Sequence, residues 1–446
     1  MKKQLLSILL PLLAGAGAQA QNPFITNQFT ADPSARVFNN RVYVYPSHDI
    51  RCGPGQGRPN WFCMEDYHVF SSDNLTDWTD HGMIVSQDKT NWTAPTAYSM
   101  WAPDCVYRNG KYYFYFPAPA KDTTKGRGFS IGVAIADKPE GPFTPQPEPI
   151  ANVRGIDPNV FIDKDGQAYL YWAGGNLYVA KLKENMLELD GAPVTIANLP
   201  TQGLKEGPWL FEHGGKYYLT YPHVRNKTES LEYAMGNTPM GPFTVTGVIM
   251  DESPTGCWTN HQSITEFKNQ WYLFYHNNDL SPRFDKNRSI RADSLFFEKD
   301  GTIRKVIPTL RGVGLTKATS AIQIDRYSHI SPSGASVALL DTVNTFAGWK
   351  TIFHNSEGWI QYNSVNFGSQ PLKTLQARVV SATGATLEVR LDHAKGPVLA
   401  EVKVSGGNQW QVVTAPVKGK PSGVHHLVVS LKGQGSCEVD WLQLAL

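Results

Sequence analysis

Three acidic side chains and one imidazole occupy matching places in a motif that the chain repeats five times. The motif is clearest in GIDPNVFIDKDGQAYLYWA, Gly155 to Ala173. It returns as ADPSARVFNNRVYVYP from Ala31, APDCVYRNGKYYFYFP from Ala102, EGPWLFEHGGKYYLTYP from Glu206 and NHQSITEFKNQWYLFYH from Asn260. Aligned on the internal turn, the residue before Pro33, Pro103, Pro158, Pro208 and Gln262 falls in one slot. Asp32, Ala102, Asp157, Gly207 and His261 fill it, and Glu206 stands one residue ahead. A lone Asp-Pro merely starts a strand after a turn; three acids in register across repeats point to chemistry. Carboxyls at close range beside apolar groups favour acid/base hydrolysis, with one kept protonated and another ionised. Glycoside cleavage uses such a pair directly: an acid protonates the leaving oxygen while a carboxylate activates water or attacks the sugar. With Trp209 close behind it, Glu206 is the expected acid, and the spacing leaves Asp32 and Asp157 both open as the base. There is no phosphate loop, nucleotide fingerprint or HExxH motif.

The elements that must bring these residues together are hairpins. Each copy has a short apolar run, a turn rich in Asn, Gly, Lys or Asp, and an aromatic, alternating run. Strand repeats of roughly 50 residues read as propeller blades, which place equivalent slots around one axis. The expectation is an all-β chain with a five-bladed β-propeller over residues 21–315. Turns in SSDNLTDWTDHG, ADKPEGPF and GNTPMGPF mark outer blade edges, with Trp78, Phe143 and Phe243 as packing. Trp101, beside the slot at Ala102, is either a wall for a sugar ring or part of the core. His261 occupies the acid slot of the fifth blade, and Arg288 and Arg291 follow it. From Gly312 the repeat character stops, and short alternating runs between Gly/Pro/Ser turns suit a β-sandwich (jelly roll) over 320–446.

Met1 to Ala20 has two lysines, an apolar run and Ala18-Gln19-Ala20, which reads as a cleaved signal peptide (1–20) and predicts a secreted or periplasmic protein starting at Gln21. Without Lys2 and Lys3 the chain has 39 basic and 39 acidic residues, so no nucleic acid or other polyanion partner is implied, and no later stretch is suited to span a bilayer. The cysteines are Cys52, Cys63, Cys105, Cys257 and Cys437, without CxxC spacing. Cys52 and Cys63 flank the loop CGPGQGRPNWFC, where a disulfide in an oxidising compartment and two free thiols are both open.

The order Asp32 in ADPS, Asp157 in GIDPNVF, Glu206 in KEGPW and His261 in TNHQS resembles glycoside hydrolase family 43, five-bladed propellers that remove arabinofuranose or xylose with inversion. The resemblance covers roughly residues 22 to 315 and implies Asp32 as general base, Glu206 as general acid and Asp157 as the residue that tunes and orients that acid. It implies Arg288 near the sugar and His261 at the channel centre near a cation, often calcium; with Trp101 from the repeat reading, these are the expected substrate contacts. EGPWLF, LEYAMGNTPMGPF and CWTNHQSI look most like the arabinoxylan arabinofuranohydrolase branch, so the implied partner is arabinoxylan, xylan or derived oligosaccharides. The runner-up is a β-1,4-xylosidase, and outside that class a sugar-binding propeller without catalysis. EGWIQYNSVNFG, LEVRLDHAKGPVLAEVKV and VDWLQL are similar to carbohydrate-binding module family 6. That likeness implies sugar-stacking aromatics at Phe353 and Trp410 and a structural calcium on Asp325 and Asp440. Glu438 stands where that family places an asparagine, which favours a domain that packs against the propeller over a working xylan cleft.

Overall fold

The computed structural model describes residues 21–124 and 128–446; the expected signal peptide lies outside them. The aromatic alternation in each repeat serves two interfaces at once. In the strand Ala168–Ala173, Tyr169, Tyr171 and Ala173 pack toward the fourth blade while Ala168, Leu170 and Trp172 pack toward the second, so every residue of the strand is buried. Five apolar clusters of this kind fill the five gaps between neighbouring blades.

Blades one to four are four-stranded antiparallel sheets in simple sequential order, and the fifth has three strands. The innermost strands are Phe29–Phe38, Asp104–Arg108, Ile156–Ile162, Trp209–His213 and Ser263–Phe267. Each touches the next around the ring, and the last touches the first. Two-residue turns join the inner hairpins at Asn39-Asn40, Asn109-Gly110, Gly214-Gly215 and Lys268-Asn269, with φ positive at both residues of each, the geometry that matches strand twist in a type I′ hairpin. The N-terminal segment closes the ring. Phe24 and Thr30 donate backbone hydrogen bonds to Ile290 and Arg288 of the fifth blade, and the Asn22 side chain pairs with the Ala292 backbone. Trp78 stacks on Phe24 at 4.4 Å, and Phe143 and Phe243 are buried, so all three pack as expected.

Near the axis the inner strands are tied by side chains. Asp104, fully buried, receives Arg36 of blade one through two nitrogens, the Ser34 hydroxyl at 2.7 Å, and the Val160 N–H and Asn159 amide of blade three. One carboxylate thus joins three blades.

The second domain is a β-sandwich of two sheets, antiparallel but for one short parallel pair, around its own core. It begins slightly before the expected residue 320: Thr316–Lys317 already pairs in parallel with Trp359–Asn366, and Ala318, Ile322 and Ile324 lie in the sandwich core. It also packs on the propeller. Phe346 meets Phe29 with ring centroids 4.7 Å apart, Lys317 pairs with Asp77 at 2.7 Å, and buried Arg311 lies over Tyr362 while donating to the Asn363 and Ser364 carbonyls. Among the described residues no helix is long and apolar enough to cross a membrane.

Candidate active site

The chain enters three of the inner strands through a left-handed residue: Asp32 (φ 48°), Asp157 (φ 57°) and Gly207 (φ 52°). A residue before proline is steered away from the right-handed helical region, and Asp and Gly tolerate the left-handed one. At Asp32-Pro33 and Asp157-Pro158 the pairing with the second strand slips, so each dipeptide forms a β-bulge, a device that re-aims a side chain beside an active site. At Gly207 a Cβ would stand 2.9 Å from Pro222 and 3.1 Å from His261. No acid fits that slot, and the fourth blade presents Glu206 from the position before it. Asp32, Asp157, Glu206 and His261 line one cavity of about 140 Å³ with Trp101, Trp258, Phe62 and Arg288. A cavity of roughly 150 Å³ accommodates a benzene ring, so this one seats a single sugar ring.

Asp32 is held as a carboxylate. Arg288 Nη1 donates to its Oδ1 at 2.8 Å and the Ser47 hydroxyl to its Oδ2 at 2.6 Å. His276 Nδ1 accepts the Asp32 backbone N–H at 3.1 Å. Burial by itself would raise this carboxyl; Arg288, His276, His261 and Ser47 outweigh it and bring the pKa down to about 2. Arg288 is fixed in turn by Asp49, which accepts from its Nε and Nη2, both at 2.9 Å. The guanidinium is thus a buried bridge between two carboxylates, with one face over the Phe62 ring. Burial, helped by Arg288, lowers His276 to about 3 and leaves it neutral.

Glu206 has the opposite environment. Burial raises its pKa to about 7, with Asp32 adding to the rise and a hydrogen bond from Glu229 opposing it. Glu229 is fully buried, accepts the Asn260 N–H at 2.6 Å, and is pushed well above the carboxylate range by burial and by Glu206. Asp157 is pushed up too, by burial and then by Glu206, while it accepts the Gly207 N–H at 2.9 Å. Three carboxyls that cannot all ionise therefore share protons around Glu206. The site sets one ionised carboxylate, Asp32, against a carboxyl, Glu206, that holds its proton.

Trp101, the expected wall residue, lines the cavity with its ring 4.5 Å from Phe129. Trp209, expected as the apolar neighbour of Glu206, does not line it. It is buried between blades four and five beneath the Arg36 guanidinium, because its strand turns it away from the cavity. The rim comes from the loop after blade one's second strand, where Cys52 and Cys63 are disulfide-bonded. Phe62 stacks 6.3 Å from Trp258, Trp61 lies 6.1 Å from Trp258, and the Lys286 ammonium sits within 5.8 Å of all three rings.

His261 lies with Nδ1 3.9 Å from Asp32 Oδ1, and burial lowers its pKa, so the imidazole is neutral. That suits it as one ligand of a cation, but calcium takes about six to eight oxygens and no protein oxygen cage surrounds it. Asp325 and Asp440, the calcium ligands implied by resemblance, are each beside an arginine: Asp325 is paired with Arg326 at 3.0 Å and Asp440 with Arg378. The sugar platform fails at Phe353, which is 0% exposed inside the sandwich core because its strand alternation turns it inward. Trp410 is half-buried on the outer side, under the Arg378 guanidinium, and Glu438 is paired with Lys350 at 2.7 Å. No cleft joins Phe353 to Trp410.

Sequence reasoning missed Asp49, Ser47, His276 and Glu229. The available signal was polar residues in otherwise apolar strand runs: PSHD after VYVY, YHN after WYLF, and TESLEY. Strand pairing places Ser47 opposite Ala31, next to Asp32.

Residues 20–303 match the family model of Glycosyl hydrolases family 43, and residues 333–445 match Carbohydrate binding module (family 6). Xylosidase/arabinosidase 43A of Humicola insolens is 38% identical over 63% of this chain and 98% of its own. The solved β-xylosidase/α-arabinofuranosidase CoXyl43 from a compost metagenome, in complex with xylotriose and in a calcium-free form, aligns with 34% identity and a TM-score of 0.58 over 65% of this chain and 98% of its own. An arabinoxylan arabinofuranohydrolase from Bacillus subtilis, solved with cellotetraose, aligns over 96% of this chain and 99% of its own with 26% identity and a TM-score of 0.56.

Proposed function

We propose that this chain, which belongs to glycosyl hydrolase family 43 and is a glycoside hydrolase, releases α-L-arabinofuranose side chains from arabinoxylan or its oligosaccharides with inversion at the anomeric carbon. The observation that carries this reading is the split between two carboxyls facing one ring-sized cavity: Asp32 locked as an anion by Arg288, and Glu206 kept protonated in a buried acid cluster. Glu206 donates its proton to the glycosidic oxygen as the bond breaks. Asp32 takes a proton from a water on the opposite face of the ring, and that water attacks the anomeric carbon. Asp157, bonded to the Gly207 N–H beside the acid, holds Glu206 in place and resists its ionisation. Arg288 positions the base, and Trp101, Phe62 and Trp258 give the sugar an apolar wall.

Arabinose is favoured over xylose because relatives that align along nearly the whole chain, both domains included, include arabinoxylan arabinofuranohydrolases, beside one named xylosidase/arabinosidase. A β-1,4-xylosidase is the second reading, supported by relatives matched along the propeller alone, which are named xylosidase/arabinosidase or β-xylosidase. Export through a signal peptide is part of the proposal, and the Cys52–Cys63 bond, which persists in oxidising compartments, supports it. The deciding experiment is sugar release from wheat arabinoxylan beside aryl arabinofuranosides and aryl xylosides. Free arabinose from the polymer is expected; xylose released from chain ends with no arabinose would favour the second reading.

A further inference from the structure

On the face of blade one turned away from the catalytic base, we infer that His48, Asp66 and His68 bind one divalent first-row transition-metal ion. Strand alternation assembles the three. Ser47 pairs with Tyr67 across the strands Arg41–Asp49 and Asp66–Ser72, so His48 comes opposite Asp66, and His68 follows two residues along on the same face. Their ligand atoms all lie within 4.8 Å of one another, and they form the one group of three or more His, Cys, Asp or Glu ligands so placed among the described residues. Zinc holds nitrogen and carboxylate ligands at roughly 2.0–2.2 Å, which sets neighbouring donors of a tetrahedral site roughly 3.4 Å apart. His48 Nδ1 and Asp66 Oδ1, now 2.6 Å apart, need to separate by under an ångström, and His68, within 4.8 Å of both, needs to close in by at most about 1.4 Å. Both are small rotations about side-chain torsions.

The surroundings are those of a metal site. His68 directs Nδ1 at Asp80 Oδ1, 3.4 Å away, which leaves its Nε2 for the ion. Asp80 is itself oriented by the Gly82 N–H at 2.7 Å and the Gln28 amide at 3.0 Å. A carboxylate behind a ligating histidine fixes its tautomer and ring orientation and strengthens its donation. The three ligands are 19, 17 and 18% exposed, reachable from solvent but held by their strands. Two neutral imidazoles and one carboxylate suit zinc, nickel, copper or iron(II) better than calcium or magnesium, and water completes the coordination. The site is separate from His261 and also from the catalytic carboxyls. Its strand reaches them through its other face, where Ser47 donates to Asp32 and Asp49 holds Arg288. A metal here would clip the second and third strands of blade one together behind those two residues.

The test uses the full, untagged chain stripped with EDTA and titrated with Zn²⁺ by calorimetry, with metal content measured after gel filtration. One zinc per chain is expected, and zinc should raise the melting temperature in proportion to the logarithm of its concentration. His68→Ala and His48→Ala should each weaken binding at least tenfold, Asp80→Asn should weaken it about tenfold or more, and His261→Ala should leave this affinity unchanged. Should a histidine variant fail to fold, stoichiometric Cu²⁺ on the wild type gives an independent readout, because pulsed electron paramagnetic resonance counts coordinated imidazoles. Two are expected. Absence of stoichiometric zinc, zinc retained undiminished by His68→Ala, loss of it in His261→Ala alone, or fewer than two imidazoles on copper would each overturn the assignment.

Discussion

Replacing Glu206 by glutamine removes the proton donor while keeping the shape of the side chain, and two effects of opposite sign follow. The first is catalytic. General acid catalysis is worth about 10² to 10⁴ in rate, so turnover of arabinoxylan should fall by that range, while aryl glycosides with good leaving groups should lose much less. The alkaline limb of the wild-type pH profile, expected near pH 7 because the acid must carry its proton, should vanish from the residual activity. The second effect is on stability. Glu206 is raised from 4.5 to about 7 on folding. At pH 4 both folded and unfolded chains hold the proton and there is no penalty. As pH climbs from 4.5 through 7 the unfolded chain releases it first, and by pH 8 the native state must ionise Glu206 in place. At 1.36 kcal/mol per unit that is about 3 kcal/mol, spread over Glu206, Asp157 and Glu229, which share the protons. The glutamine has nothing to ionise, so its stability relative to wild type should rise between pH 4 and pH 8 by an amount on the order of 2–3 kcal/mol. Urea denaturation at the two pH values, with turnover of polymer and aryl substrates, measures both effects. A variant with near-normal turnover of arabinoxylan, or one whose relative stability does not improve with pH, would refute the reasoning.

Glu229→Leu removes the hydrogen bond that opposes the rise of Glu206, so the alkaline limb of kcat/KM should move to higher pH; a move to lower pH would show that Glu229 instead helps keep Glu206 protonated. Asp104→Ala should destabilise the propeller by about 3–5 kcal/mol, as expected when one partner of a buried charge pair is removed, because Arg36 and the inner strands of blades one and three lose their common acceptor; denaturant midpoints report it, and a loss under 1 kcal/mol would show that the blades do not depend on this tie. Truncation after Gly314 should lower the melting temperature and depress activity on soluble and insoluble substrates alike, since it uncovers Phe29 and removes the Lys317 contact with Asp77; an unchanged melting temperature with loss on insoluble xylan alone would restore a sugar-binding role to the second domain.

The repeat motif carried most of the fold and the centre of the site. Alternation and turn chemistry are local, so the hairpins, the ring of inner strands and the convergence of Asp32, Asp157, Glu206 and His261 were legible along the chain. The supporting carboxyls were not. Asp49 and Glu229 act through partners 239 and 31 residues away, and no local pattern distinguishes them from ordinary strand residues. Phe353 failed because a one-residue step along a strand sends a side chain to the opposite face, and a family pattern does not fix that face. At the second domain the resemblance carried the sandwich.

In the proposed mechanism Asp32 activates water for direct attack on the sugar while Glu206 supplies the proton. Proton NMR of the first sugar released from an aryl α-L-arabinofuranoside tests this most directly, recorded before mutarotation scrambles the anomers. The β-anomer, inverted from the substrate, is expected. An initial α-anomer would mean a covalent glycosyl-enzyme and would contradict the assignment of Asp32 as a base.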